Sequence, residues 1–247
     1  MPATSAVLLR PRLAGLPNVN AGFSTRHGGV STGAYGSLNL GLSTDDAEAN
    51  VQTNRQRFAE ALGFSADQMA IAGQVHGSTV RVVETSGLYR GVDALVTTTP
   101  GVLLSMSAAD CAAVLLADAQ VVGACHAGWR GTVAEIALKT VAQMVALGAS
   151  AERMHAYISP CISQANFEVG EEVAAHFAEA FVDRTRAKPH ADIKGALVAQ
   201  LRRAGIPEAY IEASPHCTYG EVTDFFSYRA ERGVTGRLMG GIGLVAD

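Results

Sequence analysis

The chain has 247 residues, 48% of them hydrophobic and 17% charged, with 19 lysines and arginines against 23 acids for a formal net charge of −4. That content can bury a large core and excludes disordered, collagen-like and coiled-coil classes, while the negative balance argues against electrostatic capture of nucleic acid. No Pro/Ser-rich or charge-run linker divides the sequence, so residues 1–247 read as one domain.

The first apolar stretch, Ala6–Leu9, is shorter than a signal-peptide core and lacks a basic leader. The four cysteines, at 111, 125, 161 and 217, are too scattered for a disulfide scaffold. Both features fit reduced thiols in a cytoplasmic protein. Ala6–Leu9 reads as a strand, and Ala21–Thr25 as the next. Ser43 followed by Asp46 has capping-box spacing and predicts a helix over Asp45–Leu62, stopped by Gly63. Strands are predicted at Thr79–Val83, Ala94–Thr97, Val102–Met106, Ala112–Leu116 and Val121–His126. The apolar span 102–123 is long enough to cross a membrane, but it carries Asp110 and Asp118, which lipid penalises, so it reads as buried strands. A helix over Thr132–Leu147, a strand at Met154–Ile158 and helices over Glu171–Phe181 and Ile193–Arg203 complete the pattern. Successive strands without intervening helices do not suit a wholly parallel sheet. The prediction is an α+β fold, with layered mixed sheets flanked by helices.

The most informative segment runs from Ala109-Asp110-Cys111 to Cys125-His126, two apolar runs around a short polar break. A two-residue loop at Asp118-Ala119 would set Cys111 directly opposite His126, with Cβ atoms about 5 Å apart. Cys125 would then face the other way, into the core. A thiolate and an imidazole are ligands for Zn²⁺, or a nucleophile and its base. Either residue alone has a blander reading, since a free cysteine in an apolar strand is usually a small buried hydrophobe.

The flanks add weight. His126-Ala127-Gly128-Trp129-Arg130-Gly131 is a strand, a glycine-rich turn and a helix start, a place where backbone N–H groups and Arg130 suit an anion. It lacks the GxGxxG and Walker patterns, and an ordinary turn with Arg130 in a surface ion pair is the plainer alternative. His76, in Gln74-Val75-His76-Gly77, is a further ligand candidate. His155, His176 and His190 read as surface groups, whereas His27 and His216 lie in loops that could line a cleft.

Taken together, Thr25-Arg26-His27-Gly28-Gly29-Val30-Ser31, Asn39-Leu40-Gly41, Gln74-Val75-His76-Gly77, Asp93-Ala94-Leu95, Ala109-Asp110-Cys111, His126 to Gly131, Pro160-Cys161-Ile162 and Phe226-Ser227-Tyr228-Arg229 resemble the YfiH-type proteins. This is the multicopper polyphenol oxidase, or laccase-domain, family, also described as purine nucleoside phosphorylases. The resemblance spans about Gly22 to Gly243. It implies a layered α+β domain related to the catalytic domain of cytotoxic necrotizing factors, and one Zn²⁺ held by His76, Cys111 and His126. Three protein ligands leave one position open, the arrangement of a catalytic zinc. Ala112-Ala113 and Ser159-Pro160-Cys161 stand where the family usually has Leu-Pro and Gly-Pro-Cys, and Ala230 follows Arg229 in place of the common charged pair.

The implied activity is phosphorolysis of adenosine, inosine or methylthioadenosine, with deamination of adenosine as a second reaction; the partners are then a small nucleoside and phosphate, without nucleic acid or membrane. Asp110 is the candidate acid or base, and Arg26, Gln74 and Arg130 are the candidate substrate and phosphate contacts. The family also implies an alternative, an amidase that edits a cytoplasmic peptidoglycan precursor. A laccase needs a blue-copper site plus a trinuclear centre taking roughly eight more histidines, and the chain has seven in all, although copper could enter the same site as zinc. A non-catalytic zinc-stabilised binding module would need a fourth ligand such as Cys217 or His216.

Overall fold

The computed structural model describes residues 6–245. Two six-stranded mixed sheets form its frame. The first runs β1 (Leu8–Leu9), β2 (Val19–Ser24), β14 (Leu238–Leu244), β7 (Leu103–Ala108), β3 (Met69–Gly73) and β5 (Gly87–Arg90). The second runs β13 (Ile211–Ala213), β10 (His155–Ile158), β8 (Ala112–Asp118), β9 (Val121–Ala127), β6 (Ala94–Thr97) and β4 (Val80–Val82). Strands β11 (Val182–Asp183) and β12 (His190–Ala191) pair separately. The helices are α1 (Glu48–Ala61), α2 (Trp129–Val133), α3 (Ile136–Ala146), α4 (Glu171–Ala174) and α5 (Ile193–Arg203).

The alternation of side chains along β8 builds the layers. Ala113 and Leu115 point into the space between the sheets, where they meet Phe23, Leu104, Met106 and Ile242 of the first sheet. Val114 and Leu116 point outward to Ile136, Val141 and Met144 of α3 and Leu197 of α5. On the far side of the first sheet, Phe58 and Leu62 cover Leu103 and Met239. Each of these large side chains, fully buried, contributes about 1.5–3 kcal/mol through area removed from water. The order is helix, sheet, sheet, helices, as the strand and helix pattern predicts. Among the described residues no helix is long and apolar enough to cross a membrane.

Several boundaries differ from the sequence reading. The helix predicted from Asp45 begins at Glu48 because Asp46 is spent elsewhere, accepting from the Ser31 hydroxyl at 2.6 Å and the Asn39 amide at 3.0 Å. The segment predicted as one helix over Thr132–Leu147 divides at Glu135, whose φ of 61° interrupts it between α2 and α3. Glu171–Phe181 holds one α-helical turn and a 3-10 turn. Only Leu8–Leu9 of the first predicted strand is paired. His190, expected at the surface, is buried within the β11–β12 pair.

The central hairpin also differs by register. Asp118 pairs with Val121, so the loop is Ala119-Gln120, and His126 pairs with Ala113 where Cys111 was expected. Asp118 belongs to the strand because its carboxylate is an anchor, accepting from the Ala119 and Ser150 amides and from Arg153. The slip is an even number of residues, so Cys111 stays on the face of His126. It lies one step beyond β8, beside Gly128.

Candidate active site

Two loops and one strand deliver the site. His76 follows β3 and takes a left-handed φ of 59°. Cys111 occupies the bend between β7 and β8, and His126 stands near the end of β9. Their nitrogen and sulfur ligand atoms all lie within 4.8 Å of one another. The His76 and His126 rings meet edge to face, with centroids 4.9 Å apart. Gly128 makes this approach possible, because a Cβ there would sit 2.8 Å from Cys111 Sγ and 3.3 Å from the His76 ring.

Asp93 organises the cluster. It is fully buried just before β6, and β6 pairs with β9 so that the Asp93 carbonyl accepts the His126 backbone N–H at 2.7 Å. One carboxylate oxygen accepts from His76 N at 3.0 Å and stands 2.9 Å from His126 Nδ1; the other accepts from Val75 N at 3.2 Å and Gly77 N at 2.7 Å. Burial raises this carboxyl, but the hydrogen bonds from His126, Gly77 and Val75 outweigh it and hold it below the usual carboxylate range. An ionised carboxylate only accepts, so His126 Nδ1 must carry the proton. Nε2 then faces the thiol; burial disfavours a second proton there, but the Cys111 thiolate and Asp93 hold it on the ring up to about pH 9, and once that proton leaves, the Nε2 lone pair is the one a metal ligand requires. Asp93 stands in the Asp93-Ala94-Leu95 motif with nothing local to mark its role; the signal that finds it is β6–β9 pairing, which a single sequence does not reveal.

The thiol is tuned by the same neighbours. Burial pushes Cys111 up, whereas the charge of His126 and hydrogen bonds from both imidazoles bring it down to about 6. The opposite holds for Cys125 and Cys161, which burial lifts to about 12. Cys125 is therefore the core residue expected from strand alternation. Cys217 and His216 stand apart from the cluster, the thiol accepting from Ser163 N and Asn166 and the imidazole paired with Glu221 at 2.7 Å.

The cluster opens into a cavity of about 1000 Å³. Gln74, Asp110 and Arg130 line it with His76, Cys111 and His126, but Arg26 does not. Arg26 is spent on structure: its guanidinium bonds the Gly36 and Val222 carbonyls, pairs with Glu231 at 3.3 Å and lies 4.4 Å above the Phe226 ring. Gln74 has both ends of its amide on the Ser107 backbone, at 2.9 and 2.8 Å, which ties the His76 loop to β7. Asp110 accepts from Thr218 Oγ1 at 2.6 Å and from Arg229 N at 2.8 Å. Arg130 is exposed and stacks over Trp129 at 4.4 Å.

The donor set fits a metal ion. A tetrahedral shell of imidazole and thiolate places its ligand atoms roughly 3.5 Å apart, within the spread seen here, and the buried carboxylate behind His126 is the outer partner such a ligand usually has.

A family model described as multi-copper polyphenol oxidoreductase laccase matches residues 20–245. The chain belongs to that family. Among the curated relatives of this laccase-like chain, a purine nucleoside phosphorylase of Deinococcus radiodurans is 46% identical over 250 residues, covering 99% of this chain and 95% of the relative. The adenosine deaminase RL5 of an unknown prokaryotic organism is 37% identical, covering 89% and 92%. The crystal structure of YlmD from Geobacillus stearothermophilus superposes with a TM-score of 0.90 at 33% identity, covering 97% of this chain and 96% of that one. The YfiH-type resemblance and the layered α+β fold both stand.

Proposed function

We propose that this chain is a zinc-dependent purine nucleoside phosphorylase acting on adenosine, inosine and methylthioadenosine, with a secondary capacity to deaminate adenosine. The observation that carries the reading is the His76–Cys111–His126 cluster set in the wall of a large cavity that also presents several arginines. The names of the Deinococcus and RL5 relatives support it. A zinc ion would be held by His76, Cys111 and His126 and would supply a Lewis acid.

The chain's own groups do the rest. Asp93 keeps the proton on His126 Nδ1, so Nε2 remains available, and through the Val75, His76 and Gly77 amides it fixes the loop that carries His76. Asp110 retains unused lone pairs beyond its two hydrogen bonds, so it can hold and return a proton at the purine. Ile71, Leu88, Ile162 and Phe167 supply apolar wall for the base and exclude water from the phosphate's path to C1′. Arg130, at the mouth, is placed to steer anions inward. The remaining histidines, held by Asp224, Tyr210, Trp129, Lys188 and Glu221, form no second cluster among the described residues. That distribution argues against a trinuclear copper centre.

The test is product analysis of adenosine with and without phosphate. Adenine and ribose 1-phosphate formed only with phosphate, and lost in Cys111→Ala, are expected. Adenosine left untouched under both conditions would overturn the reading, and inosine as sole product would reduce it to a deaminase.

A further inference from the structure

Among the described residues five arginines line the cavity, Arg55, Arg90, Arg130, Arg229 and Arg237, against one carboxylate, Asp110, each of whose oxygens accepts one hydrogen bond. Arg90, Arg130 and Arg229 are exposed. Arg55 and Arg237 are not. They are partly buried, and one turn, Asn39-Leu40-Gly41, holds both.

Arg55 reaches from α1 and gives its Nε–H to the Leu40 carbonyl at 2.9 Å. Arg237 gives its backbone N–H to Asn39 Oδ1 at 2.9 Å, and that same oxygen accepts from Gly41 N at 3.1 Å. The Arg237 stem lies directly on Gly41, where a Cβ would come within 2.5 Å of its Cγ. One guanidinium nitrogen of Arg237 bonds the Thr235 and Gly236 carbonyls, and the group lies 5.3 Å from the Tyr228 ring.

These contacts orient the two forks without neutralising them. Neither has a carboxylate partner among the described residues. Burial draws Arg55 down to about 10 and lowers Arg237 as well, against the opposing charges of Tyr228, Asp110, Tyr35 and Cys111. Removing a charge from water without a paired counter-ion is costly, and both arginines line the same cavity. An oxyanion in the cavity that reaches them relieves both, and planar guanidinium forks suit a tetrahedral phosphate through paired N–H donors.

We infer that Arg55 and Arg237, held by the Asn39-Leu40-Gly41 turn, form the phosphate subsite of this cavity. This rests on the phosphorylase reading for its catalytic meaning, but not for its existence. It moves the anion contact from Arg26, which does not line the cavity, to two arginines that do, and gives the Asn39 motif a purpose.

The test measures inorganic phosphate binding directly, by calorimetry on the intact protein, alongside steady-state kinetics with adenosine. Arg55→Gln and Arg237→Gln are each expected to weaken phosphate binding at least about tenfold, the loss of a charge-assisted pair, and to raise the KM for phosphate with little change in that for adenosine. Arg81→Gln, an exposed arginine outside the cavity, serves as the control. If a glutamine variant fails to fold, Arg55→Lys and Gly41→Ala, which displaces the Arg237 stem, give the same readout. Unchanged phosphate binding in the folded variants, or none in the unmodified protein, would overturn the subsite. Adenosine 5′-monophosphate binding more tightly than phosphate, and lost in the same variants, would overturn the co-substrate assignment. Phosphate binding lost in the variants, from a protein that cleaves no nucleoside, would sustain the subsite and refute the phosphorylase reading.

Discussion

Replacing Asp93 by asparagine changes one oxygen to an NH₂ and leaves the shape intact. Its carboxylate accepts four hydrogen bonds, His76 N and His126 Nδ1 on one oxygen and Val75 N and Gly77 N on the other. Whichever way the amide turns, its NH₂ faces two donors. If it faces Val75 and Gly77, two backbone N–H groups lose their acceptor at a cost of about 1–3 kcal/mol each, or roughly 2–6 kcal/mol in sum. If it faces His126, the His76 N–H loses its acceptor, at about 1–3 kcal/mol, and the imidazole must become the acceptor at Nδ1, which removes the Nε2 lone pair from the cluster. The two outcomes separate experimentally. Denaturant unfolding of metal-free protein reads the first, and a zinc-chelator competition reads the second, with a loss of about 10–100-fold in affinity expected for an outer partner of this kind. Stability and zinc affinity both within twofold of the unmodified protein would refute the role given to Asp93.

Three further predictions concern neighbouring features. In metal-free protein, Cys111 should be alkylated by iodoacetamide with a rate that rises through about pH 6, because the thiolate predominates above its lowered pKa, while Cys125 and Cys161, lifted to about 12, stay unreactive until unfolding; mass mapping of the modified peptides checks this, and a midpoint near 9 would contradict it. Gly128→Ala should leave the fold intact and weaken metal binding by at least about tenfold, since its methyl group takes the space of Cys111 Sγ, a result that metal titration together with circular dichroism would show. At Asp118, burial raises the carboxyl but the Ser150 and Ala119 amides and Arg153 lower it overall. A depressed folded pKa stabilises above the unfolded value and the stability is lost as pH falls through the folded one, so Asp118→Asn should cost about 1–2 kcal/mol at pH 7 and progressively less toward pH 3, as measured by unfolding at each pH.

Much of this site was legible because strand parity is robust. The hairpin loop falls one residue later than the expected Asp118-Ala119, but an even register slip preserves the face, so Cys111 and His126 still meet. What a single sequence conceals is pairing between distant strands. Asp93 gains its role only because β6 lies against β9. The central strand β14 was not predicted because Leu238–Leu244 is glycine-rich and reads as a poor strand; its glycines are there for packing, since a Cβ at Gly241 or Gly243 would press within 2.7 Å of Leu62 or 2.6 Å of Phe64, and one at Gly240 would crowd Ala113 of the opposite sheet. Arg26 looked like an anion anchor from its glycine-rich flank, but Glu231, 205 positions away, already occupies it.

The measurement that reaches the centre of this account is a zinc titration of metal-stripped protein, following adenine release from adenosine in phosphate buffer. Turnover should be absent at the start, rise in proportion to added zinc and level off at one equivalent per chain, with no rise in Cys111→Ala. Full turnover before any zinc is added, or turnover by Cys111→Ala equal to that of the unmodified chain, would contradict it.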